Sequence, residues 1–390
     1  MKKPKRRMQT KIFPGLITSR ARAIQGVPTS TAAFIGPSER GPINKPVRIT
    51  TVTEFQSLFG HYGPRVELGY TVHQFFQNGG REAWIVRVAG TGRAIDVVGN
   101  ARKRTGLYSL ENVDSFNLLC IPSLSHLPAR AMDKVLAQVI RYCEHRRAFL
   151  LMDTPVRIRT VNGVKSWLKQ RNALRHPNVA LYSPRVRIAN PMTSAPRRAV
   201  GACGAIAGVY ARTDSTRGVW KAPAGTEAQL LGVAGLEYNL IHSEINALGA
   251  LAVNCLRVVP KHGSVVWGAR TLMGADHLAS EWKYIPVRRV ALFIEESIYR
   301  GTQWVVFEPN DATLWARIRS ALHGFLTDLF RMGAFAGRTP QQSYFVKCDS
   351  QTTSQADIRR GIVNLLVGFA PLKPAEFIII RISQRTTPRK

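Results

Sequence analysis

The chain has 390 residues, 45% hydrophobic and 20% charged, an ordinary balance for a folded protein with a large core. That length suits two domains or one elaborated domain. Lys and Arg total 55 against 24 acids, a net charge of +31, so the surface carries a positive potential toward nucleic acid, an anionic membrane or an acidic protein. The excess is mostly Arg scattered along the chain, with one dense block at residues 2–7, so charge alone leaves the partner open. Cys120, Cys143, Cys203, Cys255 and Cys348 are widely spaced, without a C-x-x-C pair, and read as small buried hydrophobes in a reducing compartment. No apolar stretch approaches the roughly 20 residues that span a bilayer, so membrane insertion is not expected. Gln9-Thr10-Lys11 follows the basic start where a signal peptide would place its apolar core, which points to synthesis and folding in the cytoplasm.

In chain order, residues 1–28 read as an arm with a short apolar run, 12–17. Residues 31–36 form a small-residue strand ended by Gly-Pro. Thr53 with Gln56 reads as a capping box opening a short helix. A second helix contains Val72, Phe75 and Phe76 and stops at Asn78-Gly79-Gly80, and 84–88 is a strand. From 96 to 198 the pattern alternates. Residues 116–121, 149–152 and 179–182 are strands; a helix carries Met132, Val135, Leu136, Val139 and Cys143, and another spans 161–174. That order predicts an α/β layer with parallel strands, closed by a Pro- and Arg-rich linker or excursion over 185–198. Pro286 opens a helix ended by Gly301, residues 304–307 read as a strand, and Asn310 or Asp311 caps the longest helix, ended by Gly333. Strands are predicted at 344–346, 362–369 and 377–382.

An enzyme needs a constellation of reactive groups, and none is found. Gly36 and Gly41 have phosphate-loop spacing, but Pro42-Ile43 stands where Lys and Ser or Thr are required. Zinc-type Cys/His clusters, H-E-x-x-H and G-x-S-x-G are missing. His242 and Glu244 fall on different helix faces, and Glu295 and Glu296 read as solvated or salt-bridged acids. No catalytic residue, metal or cofactor is expected.

Several segments carry a resemblance. They include Phe293-Ile294-Glu295-Glu296-Ser297-Ile298, Gly301-Thr302-Gln303-Trp304 and Gly368-Phe369-Ala370-Pro371-Leu372-Lys373-Pro374 near the end. Gly208-Val209-Tyr210-Ala211-Arg212-Thr213-Asp214 stands in the middle and Phe75-Phe76-x-Asn78-Gly79-Gly80 near the front. In this order they resemble the contractile tail sheath family of phages and phage-tail-like injection systems. The resemblance implies an α/β (α+β) fold in which a conserved core is formed from N- and C-terminal parts around an inserted α/β domain. The implied division is an arm at 1–28, core at 29–95, insertion at 96–198, core at 199–370, and a linker and exchanged strand at 371–390. The family's termini add strands to neighbouring subunits; here Ile12, Phe13, Leu16 and Ile17 and Phe377, Ile378, Ile379 and Ile380 match those segments. The resemblance further implies a helical homo-oligomer of stacked hexameric rings around an inner tube protein, with baseplate and tail-terminator or cap proteins as partners. Assembly would occur in the cytoplasm of the producing or host cell, the product being a virion tail or an extracellular tail-like particle. Arg359 and Arg360 lie in the segment that faces the tube in related sheaths. Two local departures stand out: a basic Arg20-Ala21-Arg22 where many sheaths are acidic, and Gly201-Ala202-Cys203-Gly204 for the usual Pro-Pro-Ser-Gly. The alternative is a basic nucleic-acid-binding protein, though no recognised nucleic-acid module accompanies the charge.

Overall fold

Short apolar runs become interior strands here because helices cover both of their faces. A computed structural model describes residues 23–61, 66–189, 198–372 and 378–386. The first elements are β1 (Ala32–Gly36), β2 (Val47–Ile49), α1 (Val52–Phe59), α2 (Leu68–Gln77), β3 (Ala83–Arg87) and α3 (Ala94–Val98). They are followed by β4 (Leu118–Cys120), α4 (Ala129–His145), β5 (Phe149–Asp153), α5 (Val161–Lys169) and β6 (Val179–Ser183). Next come β7 (Val186–Ile188), β8 (Arg198–Val200), α6 (Cys203–Arg217), β9 (Gly235–Leu236), α7 (His242–Ala250), β10 (Val253–Val259) and β11 (Gly263–Trp267). The chain closes with α8 (Ile285–Gly301), α9 (Ala312–Arg331), α10 (Pro340–Ser343), β12 (Tyr344–Lys347), α11 (Gln355–Arg359), β13 (Ile362–Phe369) and β14 (Ile378–Arg385).

The principal sheet has eight strands in the order β11-β10-β6-β5-β4-β1-β3-β2. Its interior pairs are parallel, and the hairpin strand β11 and edge strand β2 are antiparallel. Side chains alternate between two cores. Phe34, Leu118, Phe149 and Tyr182 face α2 and α6. Ile35, Leu119, Leu150 and Leu181 face α4 and α5. Burial on both faces explains why these strands read as unbroken apolar runs. The predicted parallel α/β layer is present, but not as a sheet of its own. Of the strands of 96–198, β4, β5 and β6 stand in the middle, with β1 and β3 on one side and β10 on the other, while β7, in the segment expected as a linker, pairs with β8 and β9 in a separate three-stranded sheet. The chain boundary expected at 95/96 therefore crosses continuous hydrogen bonding, β1 pairing directly with β4.

The C-terminal unit is a three-stranded antiparallel sheet, β12-β13-β14, backed by α8 and α9. Asp311 caps α9, its carboxylate accepting from Leu314 N at 2.9 Å. The inward face of α9, with Leu314, Ile318, Leu322 and Leu329 buried, matches its sequence period. Two local expectations are corrected. Residues 304–307 are not a strand: Gln303–Phe307 is a 3-10 turn continuing from α8, with Thr302 N bonded to Ile298 O at 2.9 Å. The cap of α1 lies two residues earlier than expected, where Thr51 Oγ1 accepts from Glu54 N at 3.1 Å and Glu54 accepts from Thr50 N.

Glycine sets the approach of α2 to α6. A Cβ at Gly204 would sit 2.1 Å from Thr71 O, and one at Gly208 would sit 2.4 Å from Phe75 O, so the backbones touch. A buried pair then ties α6 to α8. Arg289 donates to both Asp214 oxygens at 2.8 and 2.6 Å and to Thr29 O at 2.8 Å, with its guanidinium 4.7 Å above the Tyr210 ring. Satisfied on every side, the charge is tolerable in the interior.

Candidate functional site

The C-terminal sheet is half covered and half open. Along β14, Ile378, Ile380 and Ile382 point into the core while Ile379, Arg381, Ser383 and Arg385 face out, the period-2 alternation of a one-sided sheet. The strand pairs in register with β13 of its own chain, Ile378 opposite Phe369 and Arg385 opposite Ile362. Its other side pairs with no strand among the described residues, so there it is an edge. Of the residues predicted for strand exchange, Ile378 and Ile380 are thus buried and Ile379 is 50% exposed. Ile12, Phe13, Leu16, Ile17 and Phe377 lie outside the described residues.

Arg359 and Arg360 end α11, a short helix opened by a capping box between Ser354 and Asp357. Both arginines are exposed. They differ in availability: Arg360 binds Asp357 at 2.5 Å, whereas Arg359 has no ion pair among the described residues.

The seam between the two units holds what sequence reasoning missed. Residues preceding β1 run along α8, with Ile24 against Gly301, Gly26 against Phe293, and Val27 N donating to Ser297 Oγ at 3.1 Å. Arg147, just past α4, has φ 51°, a conformation that favours glycine. Its side chain accounts for the exception. Arg147 reaches Glu295 at 3.1 Å and Glu296 at 3.0 Å and lies 4.7 Å over the Tyr299 ring. The two adjacent glutamates are therefore salt-bridged. Arg300 extends the clasp, bonding Glu296 at 2.6 Å and Asp114 O at 2.6 Å. A cavity of about 630 Å³ beside this seam is lined by Thr29, Asn117, Arg146, Arg289 and Glu296 among others. Arg146 and Arg289 spend their donors on Leu110 O, Val113 O and Asp214.

A second polar cluster holds the first turns of α2 and α6 to the C-terminal ends of β5 and β6. Arg185 bonds Glu67 and Ser125 Oγ, and His126 Nε2 lies 3.0 Å from Glu67. Burial alone would raise the Glu67 carboxyl, but the His126 hydrogen bond and the Arg185 charge outweigh it and hold the group below its usual value. Asp153 accepts from Ala202 N at 2.7 Å, serving α6 as a tertiary cap, while burial pushes its carboxyl up. The thiols are no nucleophiles: all five are buried, and burial raises Cys255 and Cys348 to about 12. Among the described residues no His/Cys/Asp/Glu group could hold a metal ion. Among the described residues no helix is long and apolar enough to cross a membrane. What the geometry offers is a well-tied body with an open sheet edge.

A family model for the phage tail sheath protein central domain matches residues 96–272, and one for the phage tail sheath C-terminal domain matches residues 279–385. The chain belongs to the contractile tail sheath family. It is similar to the tail sheath protein of Vibrio phage KVP40, 27% identical over 191 residues that make up 49% of this chain and 27% of that one. The chain thus spans about a quarter of the length of the curated relatives it matches. Among solved structures, the helical sheath of the anti-feeding prophage in its contracted state is 27% identical with a TM-score of 0.75, covering 98% of this chain and 99% of that chain. The contracted sheath complex of an extracellular contractile injection system, PVC, is 25% identical with a TM-score of 0.76 at the same coverage.

Proposed function

We propose that this chain is the structural subunit of a contractile sheath. It polymerises as stacked hexameric rings around an inner tube and shortens to drive the tube into a target envelope. The observation that carries this reading is the likeness, over 98% of the chain, to two sheaths in their contracted state. The role is mechanical and non-enzymatic, with contraction a rigid-body repacking of subunits that stay linked. No cofactor is required. Partners on this reading are further copies of the chain, the tube protein, a baseplate and a terminator or cap; the product assembles in the cytoplasm and becomes part of a tail or tail-like particle.

Two finer elements follow. The linkage is made by strands added across subunits: Ile12, Phe13, Leu16 and Ile17 at one end, and Phe377, Ile378, Ile379 and Ile380 at the other. The edge position of β14 and its alternating faces support this, since an unpaired edge is a template for another strand. The tube contact uses Arg359 and Arg360 against an acidic exterior, Arg359 being exposed and without an ion pair among the described residues. Segments 1–28 and 371–390 are on this view the connecting parts, and 29–95, 96–198 and 199–370 the body. Negative-stain microscopy of the expressed protein tests the whole: striated cylinders or cogwheel sections are expected. A protein that stays monomeric at every ionic strength overturns the reading. For the tube contact, Arg359→Glu with Arg360→Glu should abolish assembly on tubes at low salt, and unchanged assembly removes that element alone.

A further inference from the structure

Phe307 is 87% exposed, the most of any large hydrophobic side chain among the described residues, and the turn that carries it is held firmly. In Gln303–Phe307, Val305 is buried and Glu308 N closes the turn on Val305 O at 3.0 Å. Arg317 then holds Glu308 at 3.0 Å and lies 4.7 Å over the Trp304 ring. The apolar run thus turns Val305 inward and Phe307 outward, as a knob whose backbone is ordered before any contact. The opposite end of α8 carries a hollow. A cavity of about 530 Å³ is lined there by Gly249, Ala250, Gly268 and Ala269 and by two aromatic rings, Trp267 and Tyr284. A Cβ at Gly249 would meet nothing within 4 Å, so the space lies open beside the end of α7. Tyr284 stands at the start of α8 and the knob follows its last turn, so the 17 residues of that helix, about 25 Å, separate hollow from knob. No side chain spans that length, and the hollow is out of reach of its own knob.

We infer that Phe307 of one copy of the chain seats in the Trp267–Tyr284 hollow of the next copy. The contact deepens the reading of the chain as a polymerising subunit and rests on it. Three observations support a second copy as the occupant. The chemistry matches: small residues leave room for a ring, and the Trp267 and Tyr284 rings offer it aromatic partners. The charges match as well. Beside the knob stand Glu308 and Asp311, with Arg317 the one base bonded to them among the described residues. Around the hollow, Arg257 lies 4.7 Å over the Trp267 ring, and Arg270 and Lys283 share Asp276, each at 2.7 Å. Two acids to one base thus face three bases to one acid. The placement completes the case. A knob at one end of α8 and a hollow at the other make a head-to-tail contact, which passes from copy to copy instead of ending in a pair. A buried aromatic anchor at the centre of such a contact carries a large share of its strength.

The test is the threshold concentration at which the full chain forms cylinders, read by sedimentation. Phe307→Ala, and Gly249→Leu, which fills the hollow, should each raise that threshold at least about tenfold. Both should keep the melting temperature within about 2 °C of the parent, since one side chain is exposed and the other would enter open space. Gly249→Ala should act in the same direction by less. The double variant Phe307→Ala/Gly249→Leu should add no more than about twofold to either change alone, because groups that meet are lost together. Met332→Ala, which trims a 58% exposed side chain elsewhere, should leave the threshold unchanged. Cylinders whose threshold neither variant moves, or losses that multiply in the double variant, overturn this contact and leave the sheath reading standing. A parent that stays monomeric at every ionic strength overturns both. A Phe307→Ala chain that polymerises like the parent but no longer attaches to purified tubes assigns the knob to another partner, and that too overturns the contact.

Discussion

The eight-stranded sheet and the C-terminal sheet β12-β13-β14 meet their surroundings in opposite ways. The eight-stranded sheet is parallel in its interior and covered by helices on both faces, and its middle strands have partners on each side. The three-stranded sheet is antiparallel, covered on one face, and ends in a strand whose outward residues alternate with buried isoleucines. The first is complete within one chain. The second can accept another strand without disturbing its own core. On the proposed reading, a body that stays rigid while its links flex would separate these properties between these two sheets, and the comparison can be tested at each.

The largest effect is expected where the two units are tied. Asp214→Ala leaves Arg289 buried without its partner, so urea unfolding should report a loss of about 3–5 kcal/mol. A loss under 1 kcal/mol would mean that the tie matters little. Next, Ile380→Ala should cost about 2–3 kcal/mol while the half-exposed Ile379→Ala stays near zero, a contrast set by facing alone. Equal losses would refute the facing of β14. Gly204→Ala should cost about 1–3 kcal/mol by pushing α2 from α6, measurable as a lower melting temperature. A smaller effect is predicted for pH. The Glu67 carboxyl titrates lower in the fold than its ordinary 4.5, so its contribution is present above that pH and is lost as pH falls through the folded value. His126→Ala removes the leading favourable cause, so stability should fall near pH 7, and the difference from the parent should shrink as pH drops through the carboxyl's range. Smallest of all, Arg360→Ala breaks an exposed pair and should shift stability by no more than about 0.5 kcal/mol.

Legibility followed exposure. Helix α9 was readable because one stripe is buried and the other wet, and because Asp311 sits where a cap should. Helix α6 left no period to read: from Cys203 to Ala211 every residue is buried, so polar and apolar faces do not alternate. The run at 304–307 is apolar and β-branched, yet it continues a helix, and nothing local distinguishes that from a strand. The joining of β6 to β10 depends on partners about seventy residues apart, which local patterning does not encode. The candidate site divides the same way. The strand at β14 was visible but its alternation was hidden in the run Ile378-Ile379-Ile380, and the Arg147 clasp arises from three separated segments and had no linear signature.

The buried cysteines have a practical consequence. With all five thiols enclosed, and with those of Cys255 and Cys348 pushed to about 12, a maleimide added to the folded protein near neutral pH meets no reactive thiolate. One cysteine introduced at exposed Arg359 or half-exposed Ile379 would then be the sole point of attachment. Spin or fluorophore pairs placed this way could measure subunit spacing before and after the proposed shortening, without first stripping the native sulfur from the chain.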